Sequence, residues 1–98
     1  MADMPFDMLE HVKTSNGQAG NDYINGIFQN YIDEVREYLH DAGIPENVSG
    51  TRRCAGLVAR GVADLWNLGA GEADLSPYFF KRAAQLAMKL EAEKHEQT

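Results

Sequence analysis

The residues of this chain that could do chemistry are three histidines, one cysteine and a Gly-Ala-Gly stretch, and their spacing argues against each in turn. His11, His40 and His95 stand far apart, and no His or Cys pair has the short spacing with which one segment grips a metal ion. Cys54 follows Arg52 and Arg53, whose charge favours a thiolate, but a nucleophile also needs a base, and no histidine or acid is placed to complete a relay. On the apolar face of a helix, Cys54 is expected to be an inert thiol. Gly69, Ala70 and Gly71 lack the preceding strand and the following lysine of a phosphate-binding loop. Gly69 reads instead as the left-handed residue that ends a helix. Glu72 and Asp74 share its loop without the ligand spacing of a calcium site. The expectation is a protein with no catalytic residues, no metal and no cofactor.

Charge is the second signal. The 98 residues carry 15 acids and 9 Lys or Arg, for a net charge of −6. Nine of the acids lie in residues 1–48 (Asp3, Asp7, Glu10, Asp22, Asp33, Glu34, Glu37, Asp41, Glu46), where Lys13 and Arg36 are the only bases. Residues 49–98 are nearly balanced. A DNA reader needs a basic footprint to neutralise phosphates, and this chain lacks one. The alternative function, a small helical DNA-binding or regulatory protein, would have to act through Arg52, Arg53 and Arg60. The plain reading of Asp33, Glu34, Glu37 and Asp41 is a solvated face. The sharper one is a chain whose two halves meet different neighbours.

Aromatic residues give the third signal. Trp66 sits one position off the core residue Leu65, and Tyr78, Phe79 and Phe80 are consecutive. Successive helical residues point about 100° apart, so one narrow core face cannot bury all three. At least one covers the neighbouring helix or meets a partner, with Lys81 and Arg82 as a cationic rim.

These groups must be positioned by helices. Hydrophobic residues make up 44% of the chain and charged ones 24%, the balance of an ordinary folded domain. No apolar run is long enough to span a membrane, and the start MADMPFDML lacks the basic flank and apolar core of a signal peptide, so use without export is expected. Four helical patterns are visible and no strand. The first covers residues 4–12, with Phe6, Leu9 and Val12 on one face and Pro5 near its start. After the polar loop TSNGQAGN, a second covers residues 22–42, with Asn21 as N-cap and Gly43 as stop. Its apolar stripe is Ile24, Ile27, Phe28, Tyr31, Val35, Tyr38 and Leu39. The connection GIPENVSG is turned by Pro45. The third pattern covers residues 51–68, with Cys54, Leu57, Val58, Gly61, Val62, Leu65 and Leu68 facing the core. Gly56 and Gly61 each cost this helix about 1 kcal/mol relative to alanine, so close helix approach, within the fold or between subunits, is expected at both. The fourth covers residues 77–94, with Ser76 as N-cap, Pro77 in its first position, and Phe79, Ala83, Leu86, Ala87 and Leu90 in register. The expected fold is all-α, a compact bundle of three principal helices plus a short N-terminal helix. It forms one domain over 1–98, with an N-terminal segment 1–20, a helical core 21–94 and a polar tail 95–98.

The wording of residues 56–90, GLVARGVADLWNLGAGEADLSPYFFKRAAQLAMKL, resembles the small head–tail connector (head-completion) proteins of tailed bacteriophages. The likeness is best over residues 56–86. Over residues 21–39 it is one of helix pattern, and residues 1–20 have no counterpart. Carried over by position, GVADLWN at Gly61 to Asn67 and LSPYF at Leu75 to Phe79 supply the family's pattern. The resemblance implies a structural virion protein, assembled in the bacterial host cytoplasm, that forms a homo-oligomeric ring. The ring would sit between the portal protein and the next tail-side connector or stopper, complete the head, and continue the channel for double-stranded DNA. It implies a subunit or portal interface at Trp66, Tyr78, Phe79, Phe80, Lys81, Arg82 and Leu90 on or near the last helix. Asp33, Glu34, Glu37 and Asp41 are then candidates to face the channel, since a conduit works best when its wall does not hold phosphate.

Overall fold

The computed structural model describes residues 6–68 and 75–96. Helix α1 is Met8–Ser15, a 3₁₀ turn spans Asp22–Ile24, and then follow α2 (Asn25–Asp41), α3 (Glu46–Ser49), α4 (Arg52–Leu68) and α5 (Pro77–Glu96). No strand occurs among the described residues, and the fold is an all-α bundle.

Helix α1 starts and ends later than its apolar pattern predicts. Asp7 caps it by accepting a hydrogen bond from the Glu10 backbone N–H at 3.2 Å. Thr14 and Ser15, read as loop, continue the helix to Asn16, whose side chain donates back to the Val12 carbonyl at 2.9 Å. Met4 and Pro5 lie outside the described residues. The buried Lys13 is the surprise of this segment. Its ammonium reaches Asp22 at 3.2 Å and Glu10 at 3.4 Å, tying α1 to the turn before α2. Burial pulls its pKa down, but the hydrogen bond and charge of Asp22 and the charge of Glu10 together hold it above the ordinary lysine value.

Asn21 caps as expected, accepting from the Tyr23 N–H at 3.1 Å, but the first turn is 3₁₀ before the α-helix begins. Gly43, at φ 101°, ends α2 in the left-handed conformation. Its N–H donates to the His40 carbonyl and the Ile44 N–H to the Leu39 carbonyl, both at 3.0 Å. Ile44 and Leu39 are both buried beside these bonds, the apolar contact that accompanies such a stop. The buried stripe of α2 is Phe28, Ile32, Val35 and Leu39. The sequence stripe is corrected at two positions: Ile32 is buried, whereas Ile27 is 52% exposed. Ile27 stands about 100° around the helix from Phe28, and packing against α4 selects the other edge of the stripe. The Pro45 connection folds into one helical turn, α3, rather than a plain loop.

Helix α4 sits at the centre, against α1, α2, α3 and α5. Gly61 is the reason α2 and α5 can come so near. A Cβ there would lie 2.8 Å from both Val35 methyls and 3.0 Å from the Phe79 ring. Gly56 does not share this role, since nothing lies within 4 Å of where its Cβ would be. Helix α5 opens as expected: Ser76 Oγ accepts from the Phe79 N–H at 3.2 Å, with Pro77 in the first helical position. The Ser76 N–H also donates to Asp64 near the end of α4, at 3.2 Å. Near the far end of α5, Glu93 pairs with Arg53 at the start of α4. The two helices are therefore antiparallel. Helix α5 extends to Glu96, past the expected end at Lys94 and into the segment read as polar tail. Gly69, Gly71, Glu72 and Asp74, with the loop readings placed on them, lie outside the described residues.

Candidate functional site

Two surfaces stand out once the helices are in place. The first is a groove of about 630 Å³ between α4 and α5, lined by Arg53, Gly56, Leu57, Arg60, Tyr78, Arg82 and Leu86. Residues 53, 56, 57 and 60 share one side of α4 at helical spacing, and residues 78, 82 and 86 share one side of α5. Three guanidinium groups thus line the groove. Arg53 donates to Glu93, which is held below the ordinary carboxylate value by that hydrogen bond and by the arginine's charge, against some desolvation. Arg60 lies 3.7 Å from Asp64, and its guanidinium sits 5.4 Å from the centre of the Tyr78 ring. Arg82 donates to Gln85 at 2.8 Å.

The second surface is the outer face of α2. Asp33, Glu34, Glu37 and Asp41 are all exposed. Gln29 donates to Asp33 at 2.9 Å. Arg36, the only base among these acids, bends toward α3 and donates to Ser49 Oγ at 3.0 Å and to the Glu46 carbonyl at 3.2 Å. A shallow cleft of about 320 Å³ lies beside it, lined by Asp33, Arg36, Glu37, His40, Glu46 and Ser49.

The residues expected at an interface divide into three groups. Phe79 is corrected: it is fully buried under Gly61 and Val35 and cannot meet a partner. Of three consecutive aromatics one must face inward, and the register set by Ser76 and Pro77 selects the middle one. Trp66 and Leu90 are half-buried against the core, with the Trp66 ring edge-on to Phe28 at 4.9 Å. Trp66 therefore closes the contact between α4 and α2. Tyr78 and Phe80 remain 55% and 42% exposed, with Phe80 edge-on to Tyr38 of α2 at 6.0 Å, and Lys81 and Arg82 lie exposed beside them.

The candidate arginines of the DNA-binding alternative each have a partner within the chain. Arg52 stacks over Phe6 at 4.9 Å, Arg53 pairs with Glu93, and Arg60 lies by Asp64 and Tyr78. Burial pushes the Cys54 thiol above its ordinary value despite the nearby Arg53 and Arg36, a shift that disfavours the thiolate. No cluster of His, Cys, Asp or Glu able to hold a metal occurs among the described residues. No described helix is long and apolar enough to cross a membrane. No apolar periodicity in the sequence marks this groove. Its signal was Gly56, a helix-weakening residue flanked by Arg53 and Arg60 on one face. Comparison with known protein families, with characterised proteins and with solved structures finds no match to this chain.

Proposed function

We propose that this chain is a structural subunit that assembles into a ring, in the manner of the bacteriophage head–tail connector proteins that its residues 56–90 resemble. In the virion the ring would join the portal protein to the next tail-side connector or stopper and let double-stranded DNA pass. The resemblance falls on residues with clear duties in the α4–α5 pair. Gly61 admits two neighbours, Trp66 closes on Phe28, Leu75 is buried, Ser76 and Pro77 start α5, and Phe79 fills the core. Those duties support a shared fold. The observation that carries the assembly role is the apolar surface left over: Tyr78, Phe80 and Met88 of α5 stay 55%, 42% and 73% exposed, and Tyr78 lines the groove beside its arginines. Apolar side chains rimmed by charge are what a subunit interface is built from. The net charge of −6 suits a wall along which DNA slides rather than binds.

The test is the mass of the purified protein, alone and mixed with portal protein. A closed species on either supports the reading, and a chain that stays monomeric in both overturns it. A mobility shift that weakens steeply with salt, and is lost when Arg52, Arg53 and Arg60 become alanine, would favour the regulator instead.

A further inference from the structure

We propose that the α4–α5 groove is a socket for the acidic face of α2 from a second copy of this chain. This rests on the ring reading and names its seam, placing Asp33 and Glu37 between subunits rather than on the channel wall.

Charge complementarity selects the occupant. The groove lining holds Arg53, Arg60 and Arg82 and no carboxylate. Arg53 pairs with Glu93 and Arg60 with Asp64 of the same chain, which leaves Arg82, bonded to the neutral Gln85, as the lining arginine without an acidic partner among the described residues. Helices α4 and α5 together keep seven bases against four acids. Seven of the nine bases in the chain lie on α4 and α5 (Arg52, Arg53, Arg60, Lys81, Arg82, Lys89 and Lys94). The exposed acids of α2 are the matching surface. Asp33, Glu34, Glu37 and Asp41 stand against Arg36 alone, whose hydrogen bonds to Ser49 Oγ and the Glu46 carbonyl leave its charge in place, so the face stays net negative. Spacing agrees as well. Asp33, Glu37 and Asp41 climb about 12 Å along α2, and Arg53 and Arg60 stand about 10 Å apart along α4. Between those arginines lies Gly56, with nothing within 4 Å of its Cβ position. A glycine there weakens α4 and returns no packing within the chain, but it opens the groove floor to a second helix.

The acids of α2 point away from its buried stripe of Phe28, Ile32, Val35 and Leu39, whereas the groove lies between two other helices. One copy therefore cannot fill its own socket. The contact joins unlike surfaces, so every added copy leaves one socket and one acidic face free, and the chain grows until rotation closes it.

Disulfide trapping tests this even when association is weak. A Glu37→Cys chain is mixed with an Arg82→Cys chain under mild oxidation, with Tyr23→Cys as the exposed control position; the native Cys54 is buried and does not compete. The 37–82 pair is expected to form about tenfold faster than 37–37, 82–82 or either pairing with 23, and to lose that advantage as salt screens the charges. Equal rates for all pairs, or a faster 37–37 pair, would overturn the seam. If wild-type protein sediments as a ring while the 37–82 pair shows no preference, the ring reading stands and this seam is wrong. If the pair is trapped but wild-type protein forms only open chains, the seam stands and ring closure falls.

Discussion

A methyl group added at Gly61 and one added at Gly56 should move stability in opposite directions. Both glycines lie inside α4, so either change to alanine gains about 1 kcal/mol of helix propensity. At Gly56 nothing opposes that gain, because no atom lies within 4 Å of the new Cβ. Gly56→Ala should therefore melt about 4–8 °C higher, the shift that 1 kcal/mol produces in a domain of this size. At Gly61 the Cβ meets both Val35 methyls at 2.8 Å and the Phe79 ring at 3.0 Å, and both neighbours are fully buried. Valine is stiff in a helix and cannot swing aside, so overpacking of about 1–3 kcal/mol applies. The balance for Gly61→Ala is a net loss of about 1 kcal/mol, or a melt about 4–8 °C lower. Thermal unfolding followed by circular dichroism reads both. Adding Val35→Ala to Gly61→Ala should cost less than Val35→Ala does alone, since the cavity takes the new methyl. A Gly61→Ala variant that melts as high as Gly56→Ala would refute the packing of α2 and α5 on this residue.

Further outcomes follow from single residues. Trp66→Ala should lose about 2–4 kcal/mol, somewhat under the range for fully buried aromatics, because the ring is half-buried on Phe28; denaturant unfolding measures it, and an unchanged midpoint would deny the contact. Cys54 should resist thiol reagents in the folded protein and react on unfolding, since burial keeps the thiol protonated; fast native labelling would contradict this. Lys13 has its folded pKa raised by Asp22 and Glu10 against the pull of burial, so the stability it supplies is complete below the ordinary value of 10.5 and is lost as pH rises through the folded value. The wild-type melt should thus fall in strong alkali more than that of Lys13→Met, and parallel alkaline falls would show that the pairing does not contribute.

The parts of this fold that were legible in the sequence are those fixed by local chemistry. Asn21, Gly43, Ser76 and Pro77 announce helix ends because each satisfies or omits a particular backbone bond within a few residues of itself. What the sequence left open depends on how helices rotate against one another. Ile27 and Ile32 are equally apolar and lie on opposite edges of the stripe, and the rotation of α2 that seats Val35 on Gly61 leaves Ile32 buried and Ile27 exposed. Three consecutive aromatics require that some be exposed, and the start of α5 determines that Phe79 is the buried one. Lys13 gave no signal, because its partner Asp22 approaches through a 3₁₀ turn that no apolar periodicity reveals. The groove was equally hidden, since it exists only where Arg53 and Arg60 face Tyr78 and Arg82 across two antiparallel helices.

The central claim is that this chain is built to assemble, and sedimentation of the purified protein across a wide range of concentration, with and without portal protein, tests it most directly. The expected result is one discrete species without a ladder of larger sizes: several copies of the 10.9 kDa chain when it is alone, or the mass of the portal plus a fixed number of copies when portal is present. A single species of 10.9 kDa under every condition, portal included, would contradict it.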